Sequence, residues 1–326
     1  MTEAAPRPTP VHLVTGALGS GKTTLLRRML ADPALADAAV LVNEFGEIGL
    51  DHLLLERIDE TMVLLQSGCL CCSIREELAD AMKALLSRRE RGEIPPFRRV
   101  AIESSGLADP FPILSTIRSE PVLRHHFTVS SVIATVDAAN GLDQVDRQYE
   151  TVRQIAAADH LLLTKTDLVD RPAIEALESA VGKINPTAAM RTTGGPIDIA
   201  ALLESGGAMP TPPRGHHHPV GHGVTSVALT FDRPADWVAF GLWLAMLLNR
   251  RGEQILRVKA VLNVDGWDGP VALHGVQRLI HPPEHLAAWP DADRRSRLVL
   301  IGADLTRDAI ADSLAAFGVF GGVAAT

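Results

Sequence analysis

The chain is expected to fold as an α/β unit, a mostly parallel sheet flanked by helices, followed by a smaller C-terminal α+β domain. Three observations predict this. Between residues 10 and 200, short apolar β-rich runs alternate with helical stretches, the pattern of parallel strands joined by helical crossovers. The stretch Gly16-Ala17-Leu18-Gly19-Ser20-Gly21-Lys22-Thr23 stands directly between one such run and a helical one. At 206–223 the composition turns to Gly, Pro and His, after which a different succession of strands and helices begins.

Taken in order, residues 1–9 read as a disordered lead-in: Pro6, Arg7 and Pro8 occur there without the apolar stretch of a signal peptide. Strands are expected at 11–15, 39–43, 62–65, 99–103, 131–136 and 160–163, several of them nearly all apolar, as strands covered on both faces are. Helices are expected at 22–30, 74–89, 140–158 and 173–183. These make a first domain of 10–205, with 206–223 as linker. In the second domain, 224–326, a strand is expected at 224–230 and a helix opening on Pro234 and running to 249. Strands at 256–264 and 271–280 pair about the turn Asp265-Gly266-Trp267-Asp268-Gly269. A further strand covers 297–301, and a closing helix at 306–317 is capped by Gly318.

The 326 residues are 46% apolar, enough for a sizeable core, and only 4% aromatic, so that core is aliphatic. A formal net charge of −8 argues against a nucleic-acid footprint. No apolar run reaches the roughly 18 residues of a membrane-spanning helix. The three cysteines, Cys69, Cys71 and Cys72, are clustered without partners elsewhere, which is no disulfide framework and points to a reducing cytoplasm.

Residues 16–23 match the phosphate-binding loop in full, between strand and helix, so the first domain is expected to be of the P-loop NTPase type. Gly16, Gly19 and Gly21 let the backbone wrap phosphates with its N–H groups turned inward; Ser20, Lys22, Thr23 and Thr24 complete the set. Lys22 reaches the β- and γ-phosphates and serves catalysis, and the Thr23 hydroxyl ligates Mg²⁺. Thr164-Lys165-Thr166-Asp167 follows an apolar strand and resembles a guanine motif. One carboxylate, Asp167, can accept both guanine N1–H and the N2 amine, which favours GTP over ATP. Glu103 closes another strand, where an acid positions Mg²⁺ or the attacking water, and Gly106 can offer its N–H to the γ-phosphate.

Cys-x-Cys-Cys brings thiolates within reach of one soft ion such as Zn²⁺, Cu⁺ or Co²⁺. No fourth ligand follows nearby, which suits loading and release; buried free thiols and a redox pair are the other readings. His216-His217-His218 and His222 could collect metal weakly or be part of a polar linker. His12, His52, His160 and the pair His125-His126 read as structural.

The phosphate loop, Asn43-Glu44-Phe45-Gly46, Gly68-Cys69-Leu70-Cys71-Cys72, Glu103-Ser104-Ser105-Gly106-Leu107-Ala108-Asp109-Pro110 and Thr164-Lys165-Thr166-Asp167 occur in the order of the CobW-type metal-chaperone GTPases. Arg257-Val258-Lys259-Ala260, His274-Gly275-Val276-Gln277 and Leu298-Val299-Leu300-Ile301-Gly302 resemble that family's C-terminal domain. The resemblance implies a GTP- and Mg²⁺-dependent protein, with slow intrinsic turnover, that carries Zn²⁺ or a similar ion such as Co²⁺ to a client protein. It makes Cys69, Cys71 and Cys72 the metal ligands, and places Glu44 where a switch segment could add an oxygen. The alternative it leaves open is an assembly factor for one cobalt- or iron-containing enzyme, of the cobalamin-biosynthesis or nitrile-hydratase kind. Homo-oligomerisation is left open too.

Overall fold

The computed structural model describes residues 8–44, 62–66, 73–204 and 222–321. Cys69, Cys71, Cys72, His52 and His216–His218 lie outside the described residues, as does the side chain of Glu44. By packing, the described chain divides into two units: 8–144, 158–174 and 189–204 in one, and 145–157, 175–188 and 222–321 in the other.

The first unit is built on seven strands: β1 (Thr9–Gly16), β2 (Ala38–Glu44), β3 (Met62–Gln66), β4 (Arg99–Glu103), β5 (Phe127–Asp137), β6 (His160–Thr164) and β7 (Ala189–Thr192). They lie in the order β3-β2-β4-β1-β5-β6-β7, each neighbouring pair parallel. The expected parallel sheet is therefore present, with β7 as an added edge strand whose four residues, Ala-Met-Arg-Thr, are too few and too polar to announce it. Helix α1 (Lys22–Leu30) has the expected bounds. Its Leu25 and Met29 pack with Val14, Ile133 and Leu162, and Leu26 with Val40, Val42 and Ala101, so its axis is clamped to the sheet beside β1.

Helix α2 (Ser73–Glu90) follows β3. Two helices not expected from the sequence come after β4: α3 (Pro110–Ser119) and α4 (Pro121–His126). Each opens on a proline in its first turn, where no backbone N–H is needed, and each has an acidic cap. Asp109 accepts from Phe111 N at 3.0 Å and Glu120 from Leu123 N at 2.7 Å. The single helix expected at 140–158 is two, α5 (Gly141–Arg147) and α6 (Tyr149–Ala157), parted at Gln148, whose side-chain oxygen accepts from Thr151. Helices α7 (Arg171–Ile184) and α8 (Ile199–Leu203) complete this half of the chain.

The second unit carries an antiparallel sheet: β8 (Val224–Phe231), β9 (Ile255–Asn263), β10 (Pro270–Val276), β11 (Leu279–Ile280), β12 (Glu284–His285) and β13 (Ser296–Ala303). One face packs on α9 (Trp237–Arg251) and α10 (Arg307–Ala316) through Phe240, Trp243, Leu248, Ile310 and Leu314. The helix expected from Pro234 begins at Trp237, because Asp236 caps it by accepting from Val238 N and Ala239 N. The strand expected through 280 breaks at Gln277, whose φ of 51° interrupts the ladder. Gly318 follows α10 with φ 68°, the expected cap.

Two helices assigned from sequence to the first domain pack within this second unit, and the reason lies in polar residues of its sheet. Buried Arg257 donates to the Ala157 carbonyl at the end of α6. Lys259 Nζ reaches Thr187 O at 3.3 Å, and Ser226 Oγ donates to Lys183 O near the end of α7 at 2.9 Å. Arg257 and Ser226 thus satisfy carbonyls in the last turns of α6 and α7, and Lys259 one just beyond α7.

His12 and His160 are buried and hydrogen-bonded, as expected: His12 Nδ1 to Ser131 Oγ at 2.9 Å, His160 Nε2 to Glu204 O at 3.1 Å. Burial, helped by the Arg99 charge, lowers the His12 pKa from 6.5 to about 4. An unfolded chain takes up this proton near pH 6.5 while the folded one refuses it, so stability is lost as pH falls from 6.5 towards 4. With 1.36 kcal/mol per pKa unit, the loss from this group approaches about 3 kcal/mol. Denaturant unfolding of His12→Gln is expected to show a shallower decline over that range than the parent.

Candidate nucleotide site

The phosphate loop leaves β1 at Gly16 and enters α1 at Lys22. Three glycines make its shape, with φ of 141° at Gly16, 73° at Gly19 and 94° at Gly21. These angles strain any residue with a side chain, and a Cβ on Gly16 would also strike the Thr135 carbonyl. The loop is closed by Ser20 N donating to Ala17 O at 3.1 Å. Lys22 Nζ arches back over it, donating to Ala17 O at 2.9 Å.

Hydroxyls from neighbouring strand ends hold the loop in place. Ser20 Oγ meets Thr135 Oγ1 of β5 at 2.6 Å, and Thr164 Oγ1 of β6 donates to Ser20 O at 2.8 Å. Beneath it, Ser104 Oγ donates to Thr15 Oγ1 at 2.8 Å. Gly106 lies against the loop itself, since a Cβ there would stand 2.6 Å from both N and Cα of Leu18. The first helical bond of α1 runs from Leu25 N to Gly21 O, so the N–H groups ahead of it belong to an open, positively polarised helix end. Thr24 lies exposed in that first turn.

Thr23 Oγ1 donates to Glu103 Oε1 at 2.7 Å. A hydroxyl and a buried carboxylate side by side at a phosphate loop are hard oxygen donors, the chemistry Mg²⁺ requires. The chemistry of these two residues therefore fits that ion.

Thr164-Lys165-Thr166-Asp167 continues from β6 at the same edge of the sheet. Lys165 has φ 55°, and from it the chain enters a 3-10 turn, Thr166–Leu168, on which Asp167 is exposed. Lys165 Nζ pairs with Asp137 Oδ2 at 2.7 Å. Burial of Asp137 works against its charge, but Lys165, the Asn140 amide at 3.0 Å and Ala139 N–H at 2.9 Å outweigh it and hold the carboxyl below its ordinary range. The Asp137 carboxylate, held below its ordinary range, thus positions Lys165. Sequence reasoning missed Asp137, Thr135 and Ser104; Asp137 ends its apolar strand just as Glu103 ends its own, and that parallel is the signal that would have found it.

Among the described residues, no group of three His, Cys, Asp or Glu side chains is placed to hold a metal ion. β3 ends at Gln66 and α2 begins at Ser73, so the cysteines occur in sequence between them. β3 runs parallel to β2, with Gln66 opposite Glu44, and β2 runs parallel to β4, with Val42 opposite Glu103. The strand ends that lead to Glu44 and the cysteines therefore share an edge with Glu103 and the phosphate loop. No helix among the described residues is long and apolar enough to cross a membrane.

Residues 10–192 match the family described as "CobW/HypB/UreG, nucleotide-binding domain", and residues 224–318 match "Cobalamin synthesis protein cobW C-terminal domain". The zinc chaperone YjiA of Escherichia coli (strain K12) is 35% identical over 311 residues, covering 93% of this chain and 96% of that protein. Zinc-regulated GTPase metalloprotein activator 1 of Schizosaccharomyces pombe is 32% identical over 207 residues, 60% of this chain and 49% of that one. The crystal structure of Zn(II)-bound YjiA GTPase from E. coli superposes with a TM-score of 0.71 at 30% identity, covering 96% of this chain and 99% of that chain.

Proposed function

Because this chain belongs to the CobW/HypB/UreG nucleotide-binding family and carries the cobW C-terminal domain, we propose that it is a GTP-hydrolysing metallochaperone that carries zinc to a client protein. The observation that carries this reading is the strand register: β4, β2 and β3 lie side by side and end, in that order, at Glu103, Glu44 and Gln66, and Gln66 stands three positions before Cys69 in sequence. A change at the phosphates has a path of two strand spacings to the end of β3, after which the cysteines follow in sequence.

In this account the N–H groups of Gly16–Thr24 and the Lys22 ammonium hold the phosphates, and Lys22 stabilises charge that builds on them during transfer. Mg²⁺ on Thr23 supplies charge neutralisation when bound. Glu103 accepts from Thr23 and orients its hydroxyl. Asp167 reads guanine, and Lys165, fixed by Asp137, flanks the base. Gly106 contributes its N–H where the terminal phosphate ends. Cys69, Cys71 and Cys72 take zinc as cargo, with Glu44 as an oxygen donor that senses the nucleotide state. The chemistry belongs to residues 10–205, whose helices α6 and α7 pack with the second domain, 224–326, that follows the linker 206–223 in sequence. The client is a metal-dependent protein, in keeping with relatives named as chaperones and metalloprotein activators.

Replacing Cys69, Cys71 and Cys72 together with Ser tests the cargo site. The variant is expected to retain GTP binding and melting temperature, to lose zinc to a chelator that the parent resists, and to lose any zinc dependence of GTP turnover. Unchanged zinc retention by the variant would contradict the assignment.

A further inference from the structure

The apolar helix face of the C-terminal sheet unit is unaccounted for by nucleotide or metal chemistry. Helix α9 buries Phe240, Trp243, Leu244 and Leu248 against its own sheet. Its opposite side is apolar as well: Val238, Leu242 and Met246 are 69%, 59% and 61% exposed, and Gly241 and Ala245 lie exposed between them. A helix that is apolar all round is one with a second partner. Beside this face a cavity of about 520 Å³ opens between α9 and the β10–β11 edge, lined by Trp237, Phe240, Gly241, Ala245, Leu273 and Ile280.

Gly241 is the telling residue. Glycine is among the poorest helix formers, yet it sits in mid-helix where an added Cβ would meet nothing within 4 Å. Packing inside the chain gives no reason for it. Close approach by something outside does.

We propose that this face pairs with a second copy of the chain, the two α9 helices lying antiparallel about a two-fold axis. The exposed positions 238, 241, 242, 245, 246 and 249 are centred between 243 and 244. An antiparallel two-fold through that centre sets Met246 of each copy over Gly241 of the other, at the mouth of the cavity, and Leu242 over Ala245. In both central pairs a large residue meets a small one, and Val238 falls opposite Asn249 at the margin. Parallel pairing in register would instead set Leu242 on Leu242 and Gly241 on Gly241, leaving clashes and holes. Charge agrees with the antiparallel choice. At the start of α9 stand Asp236 and, in the turn joined to Ala235, Asp265 and Asp268. At its end stand Arg250 and Arg251, with Arg278 packed over Gly252 and ion-paired to Glu253 at 3.5 Å, so that the two helix-borne arginines carry the excess charge. The acidic end of each copy thus faces the basic end of the other, the self-complementarity an isologous contact requires. This pairing is independent of the zinc reading.

Sedimentation equilibrium of the full chain, reduced, chelated and nucleotide-free, tests it, since those conditions remove association through metal or thiols. The parent is expected to form a reversible dimer within about 1–100 µM. Met246→Glu places a charge in the contact, and Gly241→Leu fills the space Met246 enters. Each is expected to weaken dimerisation by about a hundredfold, and Gly241→Leu to melt no lower than the parent because its site is open in the monomer. A parent that stays monomeric over this range, or variants that dimerise like it, overturns the proposal. So does a monomeric parent whose zinc transfer to a client is blocked by Met246→Glu, which would assign the face to a foreign helix.

Discussion

Replacing Gly106 by alanine is expected to weaken GTP binding about tenfold or more and to lower turnover about a hundredfold, the scale that follows from a displacement of about 1 Å at a reacting centre. The added methyl would stand 2.6 Å from the backbone N and Cα of Leu18, closer than side-chain carbons approach a main chain. Leu18 cannot yield alone. Its loop is pinned by Ser20 on Thr135, by Thr164 on Ser20 and by the turn from Ala17 to Ser20. The methyl therefore either pushes the whole phosphate loop or drives the segment after β4 away from it, and both separate Gly106 from the site of the terminal phosphate. Gly182→Ala, on α7 with nothing within 4 Å of the added carbon, is the matched control. It is expected to stabilise by about 0.5–1 kcal/mol and leave turnover unchanged. Titration with a fluorescent guanine nucleotide and single-turnover kinetics would separate the binding loss from the catalytic one. Turnover in Gly106→Ala equal to the parent's would show that the contact with Leu18 does not organise the loop.

Much of the nucleotide site was legible because its constraints are local. Glycines at 16, 19 and 21, a lysine at 22 and the helix behind them describe one turn of chain, and the structure has them as expected, down to the bounds of α1. What escaped was held at long range. Thr135 and Ser104 look like ordinary strand residues until the sheet order brings β5 and β4 to either side of β1. Asp137 is an unremarkable acid in sequence and becomes the partner of Lys165 only when β5 and β6 pair. Helices α3 and α4 were hidden by their prolines, which stop a helix in its interior but begin one at its first turn. The placing of α6 and α7 with the C-terminal sheet depends on Arg257, Lys259 and Ser226, which alternate with apolar residues and cannot be told in sequence from solvent-facing positions.

In the proposed function, nucleotide and zinc are coupled through neighbouring strand ends. β4 carries Glu103, which accepts from Thr23 at the Mg²⁺ position; β2, its neighbour, carries Glu44; β3, the next, leads to the cysteines. In the proposed function a terminal phosphate draws in Glu103 and Gly106 and shifts these strand ends together, and the zinc held by the three thiolates and the Glu44 oxygen responds. A coupling of 1–3 kcal/mol is typical of such linked sites, which corresponds to about a 5–150-fold change in affinity. By reciprocity, zinc must then change affinity for the GTP analogue relative to GDP by the same factor. Competition for Zn²⁺ against a chromophoric chelator, with the protein nucleotide-free, bound to GDP, and bound to a non-hydrolysable GTP analogue with Mg²⁺, measures this directly. The account predicts zinc affinities that differ at least about fivefold between the GDP and GTP-analogue states, with the difference abolished in the Cys69, Cys71, Cys72→Ser variant. Equal affinities in all three nucleotide states would contradict it.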